Sequence, residues 1–111
     1  MTAQGSLDGF GQNFQGRFFA EGNQIEVTGS FSQSVDNFQA FTVTLTYESL
    51  ADLQGTYNIV IDDPPSYIGA ADLKLNLKNV QNKTVSISGR ITPPISGKQA
   101  VSGFIRFGWA R

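Results

Sequence analysis

The sequence predicts an all-β domain of seven to eight mostly antiparallel strands with short hairpin connections, arranged as a β-sandwich or a small up-and-down β-barrel. Apolar and polar residues alternate along most of the 111-residue chain, which is the period of a β-strand, because successive side chains point to opposite faces. Short groups of Gly, Pro, Asn and Asp separate the alternating segments at hairpin spacing. No segment combines a helical period with capping residues, so the sequence does not predict a helical domain.

The clearest alternation predicts a strand over residues 38–48. Its odd positions carry apolar or aromatic side chains: Phe41, Val43, Leu45 and Tyr47. Its even positions carry threonines: Thr42, Thr44 and Thr46. A helix of this sequence would spread both sets around its axis, whereas a strand separates an apolar face from a hydroxyl face. We therefore expect the odd face to enter the core.

The other strands follow from the same alternation. They are predicted near residues 6–10, 14–20, 24–33, 55–62, 72–78, 84–91 and 101–109. Residues 1–24 are rich in Gly, Gln and Asn, so the strands there are predicted to be irregular. The positions predicted to be buried are Val43, Leu45, Ile59, Leu75, Ile87 and Ile105. The positions predicted to face the solvent are Thr44, Lys74 and Ser86.

Turn-forming residues connect these strands. Gly22 and Asn23 are expected to supply positive φ angles between the second and third strands. A 3₁₀ or bulged connection is predicted over 50–54, and a hairpin turn over 79–83. Proline donates no hydrogen bond to a sheet, so its two clusters mark loops. These loops are predicted over residues 62–70 and 92–97.

A short repeat places glycine on the inward side of three strands. Residues 27–31, 87–91 and 101–105 share the order apolar, hydroxyl, Gly, any residue, apolar. Inward glycine marks a bend or the close approach of another backbone, which predicts a curved sheet with a filled interior. The alternative interpretation is that the missing side chains leave room for a ligand.

The residue types present exclude several chemistries. The chain has no histidine and no cysteine, which excludes Ser-His-Asp and Cys-His catalysis and the usual zinc sites. Asp62 and Asp63 precede two prolines in a predicted loop, where both carboxylates are expected to be solvated. A calcium site on these two residues is the weaker alternative, because calcium needs six or more oxygen ligands. We expect a protein that is not an enzyme and carries no cofactor.

Charge and hydropathy restrict partners and location. Eight Lys and Arg stand against nine Asp and Glu, without a basic run, so nucleic acid is not an expected partner. No apolar run approaches the roughly 20 residues of a membrane-spanning helix. The first residues lack the charged and apolar regions of a signal peptide, so a cytoplasmic location is favoured over export. The length fits a single domain over residues 1–111.

Aromatic residues supply the candidate binding positions. They are Phe18, Phe19, Tyr57, Tyr67, Phe104 and Trp109. Phe104 lies opposite the core register, and one of Phe18 and Phe19 must also face away from the core. Exposed rings in a weakly charged chain are typical of a subunit interface or of a platform that stacks on a sugar. Three further rings near predicted turns are either covered by a second layer or part of such a surface: Phe10, Phe14 and Phe38.

These observations predict a non-enzymatic interaction or self-assembly module, which binds copies of itself or another protein. One alternative is a protein that binds a carbohydrate or a small apolar ligand on aromatic platforms. A second alternative is a membrane-active barrel, for which the strand lengths are suitable but paired aromatic girdles are missing.

Overall fold

In this computed structural model, the described part of the chain comprises residues 1–34, 37–60, 66–69, 71–91 and 99–109, without the side chains of Phe41, Gln99 and Trp109. These residues form ten β-strands and one 3₁₀ turn at Leu50–Asp52. The strands are β1 (Thr2–Phe10), β2 (Asn13–Ala20), β3 (Asn23–Phe31), β4 (Phe38–Thr46), β5 (Gly55–Ile59), β6 (Tyr67–Gly69), β7 (Asp72–Lys78), β8 (Thr84–Arg90), β9 (Gln99–Ala100) and β10 (Gly103–Trp109).

Eight of these strands close into an antiparallel barrel. Their order is β5-β10-β3-β2-β1-β4-β8-β7, and β7 pairs back with β5 through Asn58 with Lys78 and Ile59 with Leu77. The start of β7 pairs along the same edge with β6, which in turn pairs with the short β9. The all-β, antiparallel prediction is confirmed. The closing pairs make the domain a barrel with two additional strands.

The inward side chains of the eight strands fill the barrel. All six residues predicted to be buried are at most 4% exposed. Lys74 is exposed as predicted, whereas Thr44 and Ser86 are half-buried. Each buried aliphatic side chain stabilises the fold by about 1.5–3 kcal/mol, because it removes apolar surface from water. The periodicity of the sequence therefore predicts the core correctly.

A β-bulge in β4 changes which residues face the core. Gly5 of β1 pairs with Val43, and the next residue, Ser6, pairs with Phe41, so that Thr42 is the extra residue. Thr42 has φ 56°, in the left-handed region. Because the bulge shifts the alternation by one position, Phe38 and Ala40 are buried before it and Val43, Leu45 and Tyr47 after it. The odd residues Val43, Leu45 and Tyr47 face the core as predicted, but before the bulge the inward residues are even-numbered. The side chain of Phe41 lies outside the described residues.

The first two strands are longer and more regular than expected. β1 and β2 pair in an unbroken register from Gln4 with Phe19 to Phe10 with Asn13. The glycines do not disrupt these strands, because apolar side chains of the neighbouring strands pack over them. Phe18 covers Gly5 in this way.

Two short strands lie where the sequence predicts no strand. β6 occupies part of the predicted 62–70 loop, and β9 precedes the last strand, which begins only at Gly103. Ser66, which is fully buried, connects this region to β7: its hydroxyl accepts a hydrogen bond from Asn76 N at 2.8 Å and donates one to Asn76 O at 3.3 Å. Strands of two or three residues are too short to show a period. The predicted loop at 92–97 lies outside the described residues.

The predicted turns form, with one change of detail. Positive φ angles fall on Glu21 and Gly22, rather than on Gly22 and Asn23, as a two-residue hairpin of type I′ requires. The turn over residues 79–83 closes through Asn79, whose side-chain oxygen accepts hydrogen bonds from the backbone of Gln81 and Lys83, each at 2.9 Å. In the described ranges, no helix has the length and hydropathy needed to cross a membrane.

Candidate functional site

Two of the candidate aromatic residues lie inside the barrel. Phe18 is 0% exposed and Tyr57 is 1% exposed. The Tyr57 hydroxyl donates to Asp52 O at 2.7 Å, and its ring meets that of Phe107 edge to face at 5.5 Å. The sequence placed both residues among possible binding positions. The structure places both in the core, where neither ring presents a face to a ligand.

Three other candidates lie on three different strands. Phe19 is 61% exposed on the outer side of β2, opposite Gln4 and Gln24. Tyr67 is half-buried on β6, next to Lys74. Trp109 ends β10, and its side chain lies outside the described residues, as do Asp62 and Asp63.

Phe104 is the candidate that belongs to a defined site. It pairs with Ser30 of β3, Ser30 pairs with Asn13 of β2, and Asn13 pairs with Phe10 of β1. Paired residues of an antiparallel sheet point to the same face, so these four side chains form one transverse row on the outside of the barrel. Phe104 is 48% exposed and Phe10 is 55% exposed. Two aromatic rings therefore flank a hydroxyl and an amide.

The two polar residues of the row are joined by a hydrogen bond. Ser30 Oγ donates to Asn13 Oδ1 at 2.7 Å. This bond fixes the orientation of the amide, because the oxygen is engaged and the nitrogen retains its two hydrogens. Ser30 Oγ also keeps its lone pairs. The centre of the row therefore offers donors from Asn13 and an acceptor from Ser30.

The row borders a groove of about 350 Å³, here called the aromatic groove. Its lining residues are Phe10, Asn13, Phe14, Gln15, Thr28, Gly29, Ser30 and Phe104. None of these side chains carries a charge or titrates near neutral pH. The groove therefore suits a neutral ligand, and its described lining holds no carboxylate that could act as an acid or a base.

A second groove continues from the aromatic groove along the same face. It has a volume of about 380 Å³ and shares Gln15 and Thr28 with the aromatic groove. Its charged lining residues are Asp8, Arg17 and Glu26. This second groove is here called the charged groove. Together the two grooves lie over the outer face of parts of β1, β2 and β3.

A larger groove of about 660 Å³ lies elsewhere on the barrel, bordered by the ends of β4 and β7 and the start of β8. Tyr47 is the aromatic residue in its described lining, and this ring is 3% exposed. The Tyr47 hydroxyl donates to Glu21 Oε2 at 3.1 Å. Burial raises the pKa of Tyr47, and the hydrogen bond to Glu21 raises it further. No described residue of this groove offers an exposed ring for stacking.

The interior of the barrel leaves no space at Gly29 and Gly89, the two inward glycines of β3 and β8. A side chain at Gly89 would collide with Val43, and one at Gly29 would collide with the ring of Phe14. Both glycines thus mark close packing rather than a vacant cavity.

Inside the barrel, burial raises the pKa of Tyr57, and the negative charge of the Asp52 carboxylate raises it further.

The sequence identified only part of the aromatic groove. The register of the last strand indicates Phe104, and the nearby turn indicates Phe10. Nothing local indicates Asn13 and Ser30, because their positions beside the two rings depend on the register of three strand pairs. One local signal was present: the two-residue turn at 11–12 places Phe10 directly opposite Asn13.

A scan of the chain against protein-family models gives no match, and a search against curated proteins gives no significant match. The fold alone defines the class: a small, closed, eight-stranded antiparallel barrel with two additional strands.

Proposed function

We propose that this protein is a non-enzymatic binding module that holds a neutral carbohydrate in the aromatic groove. The observation that carries the proposal is the row Phe104, Ser30, Asn13 and Phe10, in which two exposed rings flank a hydrogen-bonded hydroxyl and amide. A pyranose ring combines an apolar C–H face with hydroxyl groups at its edge. A binding groove for such a ligand needs the same two elements side by side.

The distances within the row support this assignment. Neighbouring strands lie about 4.8 Å apart, so each phenylalanine is one strand away from a polar residue. A sugar ring stacked on Phe104 would place hydroxyl groups beside Ser30, and one stacked on Phe10 would place them beside Asn13. Hydrogen bonds to Asn13 and Ser30 would fix the orientation of the ring, while stacking would supply most of the favourable contact area.

The packed interior also favours an external ligand. Barrels that enclose a ligand need a cavity, whereas the inward glycines of this barrel are covered by Val43 and Phe14. A small apolar ligand inside the barrel is therefore less well supported than a sugar on its surface.

A second candidate function is self-assembly, or binding to another protein, through the same two phenylalanines. Their exposure favours it, since exposed rings are common in interfaces. The area of exposed apolar surface argues against self-assembly. A stable interface covers about 800 Å² per partner, whereas one phenylalanine buries only about 150–250 Å². The carbohydrate is the better fit to a groove of about 350 Å³.

Isothermal titration calorimetry with methyl glycosides of glucose, galactose, mannose and N-acetylglucosamine tests the proposal. We expect saturable binding of at least one glycoside, weakened about tenfold or more in Phe104→Ala, because covering one phenylalanine ring contributes about 1.5–3 kcal/mol. Phe19→Ala is the matched control, since Phe19 is an exposed phenylalanine outside the groove. Its affinity should equal that of the unaltered protein.

Two results would overturn the proposal. One is the absence of binding to every glycoside, together with a concentration-dependent dimer in sedimentation that Phe104→Ala dissociates; this would establish self-assembly instead. The other is binding that Phe104→Ala and Phe10→Ala leave unchanged, which would place the ligand outside the aromatic groove.

A further inference from the structure

We infer that the ligand is a neutral oligosaccharide rather than a single sugar, and that its second unit lies in the charged groove on Arg17. This inference rests on the proposed function of the aromatic groove and extends it along the barrel. The aromatic groove would be the first subsite, and the charged groove the second.

The continuity of the two grooves is the first step. Gln15 and Thr28 line both of them. These two residues are direct cross-strand partners, as are Asn13 with Ser30 on one side and Arg17 with Glu26 on the other. Outward positions on a strand recur every second residue, about 6.6 Å apart. Three successive outward pairs therefore lie along one line, and a linear ligand can follow it without leaving the protein surface.

Arg17 is the residue that gives the second subsite a specific chemistry. Its side chain is exposed on β2, and it makes no ion pair or hydrogen bond with other residues in the described part of the chain. A guanidinium carries five N–H donors in a planar fork, which matches two adjacent hydroxyl oxygens of a sugar. Gln15 offers an amide beside it. This subsite thus provides hydrogen bonds where the first subsite provides stacking.

The charges around Arg17 restrict the class of ligand. Glu26 is its direct cross-strand partner, and Asp8 lies on the other neighbouring strand, opposite Gln15. Two carboxylates beside one guanidinium repel a polyanion, and the chain as a whole has a net charge of -1. The guanidinium in turn disfavours a polycation. A neutral oligosaccharide carries neither penalty.

The test compares the affinities of oligosaccharides that are built from the same sugar and differ in the number of units. Calorimetry is carried out with the methyl glycoside and with its β-1,4-linked oligomers of two to four units. The variant is Arg17→Met, which keeps the aliphatic stem, and the matched control is Arg90→Met, an exposed arginine on β8 away from both grooves. We expect the oligomers to bind about tenfold more tightly than the methyl glycoside. Arg17→Met should remove this gain and leave the affinity for the methyl glycoside unchanged.

The possible failures are distinct. If the methyl glycoside binds in a Phe104-dependent way but longer oligomers bind no more tightly, the second subsite is refuted and the proposed function stands. If Arg17→Met leaves the gain intact, or if Arg90→Met removes it equally, Arg17 is not part of a second subsite. If no saccharide of any length binds, both the inference and the proposed function are overturned.

Discussion

Gly29 of β3 lies directly opposite Phe14 of β2, and the ring of Phe14 occupies the space that a side chain at residue 29 would need. The same ring stacks on Phe31, with 4.6 Å between the ring centroids and 25° between the planes. Gly29 also lines the aromatic groove on the outside. The core of the barrel therefore reaches the floor of the groove, which makes this floor rigid and keeps the ligand site at the surface.

Close packing at the inward glycines predicts that larger residues destabilise the fold. Gly89→Val should lower the free energy of unfolding by about 1–3 kcal/mol, because the new side chain would overlap Val43. Gly108→Val is the control, since no atom lies within 4 Å of a Cβ at that position. Its free energy of unfolding should change little. Urea unfolding measures both, and an equal, small effect in the two variants would mean that space is vacant at Gly89.

The alternation along β7 predicts a large difference between adjacent residues. Leu75 is 1% exposed, and Leu75→Ala should lower the free energy of unfolding by about 2–5 kcal/mol through the lost contacts and the cavity. Lys74→Ala, on the exposed face, should change it by about 0.5 kcal/mol or less. Thermal unfolding followed by circular dichroism measures both. Similar losses of stability in the two variants would contradict the burial of Leu75 and the exposure of Lys74 on opposite faces of β7.

The backbone of Thr42 predicts an unusual response to glycine. A β-branched residue at φ 56° is strained by about 1–2 kcal/mol, and glycine removes this strain. Glycine also increases the entropy of the unfolded chain, at a cost of about 0.5–1 kcal/mol. Thr42→Gly should therefore leave stability unchanged or raise it slightly. Thr46→Gly, in the regular part of β4, should lower it; if both variants lose stability equally, the bulge is not at Thr42.

Two buried tyrosines predict loss of stability at alkaline pH. The pKa of Tyr47 and that of Tyr57 are raised in the folded protein, chiefly by burial. In the unfolded chain these hydroxyls ionise near pH 10.0, so above that pH the unfolded state releases protons that the folded state retains. The contribution of the two protonated tyrosines to the free energy of unfolding is therefore fully present below about pH 10. It is lost as the pH rises through their pKa values in the folded protein.

Thermal midpoints measured between pH 8 and pH 12 check this expectation. The midpoint of the unaltered protein should fall above about pH 10, and the fall should be smaller in Tyr47→Phe, which cannot ionise at that position. An identical alkaline fall in the two proteins would show that Tyr47 is not protected from ionisation by the fold.

The fold was largely predictable from alternation, because one face of each long strand is buried and the other is not. Val43, Leu75 and Ile105 illustrate this, since each occupies the register that the sequence assigns to it. The choice between sandwich and barrel was not predictable. It depends on the pairing of β5 with β7, which involves two residues from each strand and leaves no local pattern.

Neither the bulge in β4 nor the aromatic groove can be predicted from residues that are close in sequence, and the reasons are related. Threonine is disfavoured at positive φ, so nothing in the residue type marks Thr42 as the extra residue. The aromatic groove joins Phe104 near the end of the chain to Phe10 near its start. Only the relative register of four strands brings these two rings to the sides of Asn13 and Ser30.

The most direct test of the carbohydrate assignment is a ¹H–¹⁵N NMR titration with the glycoside or oligosaccharide that binds most tightly. The assignment predicts saturable shifts of the side-chain amide of Asn13 and of the backbone amides of Ser30 and Phe104, with no shift at Lys74. It is contradicted if those resonances stay fixed while the resonances of Tyr47 and Leu77, in the separate larger groove, move with the ligand.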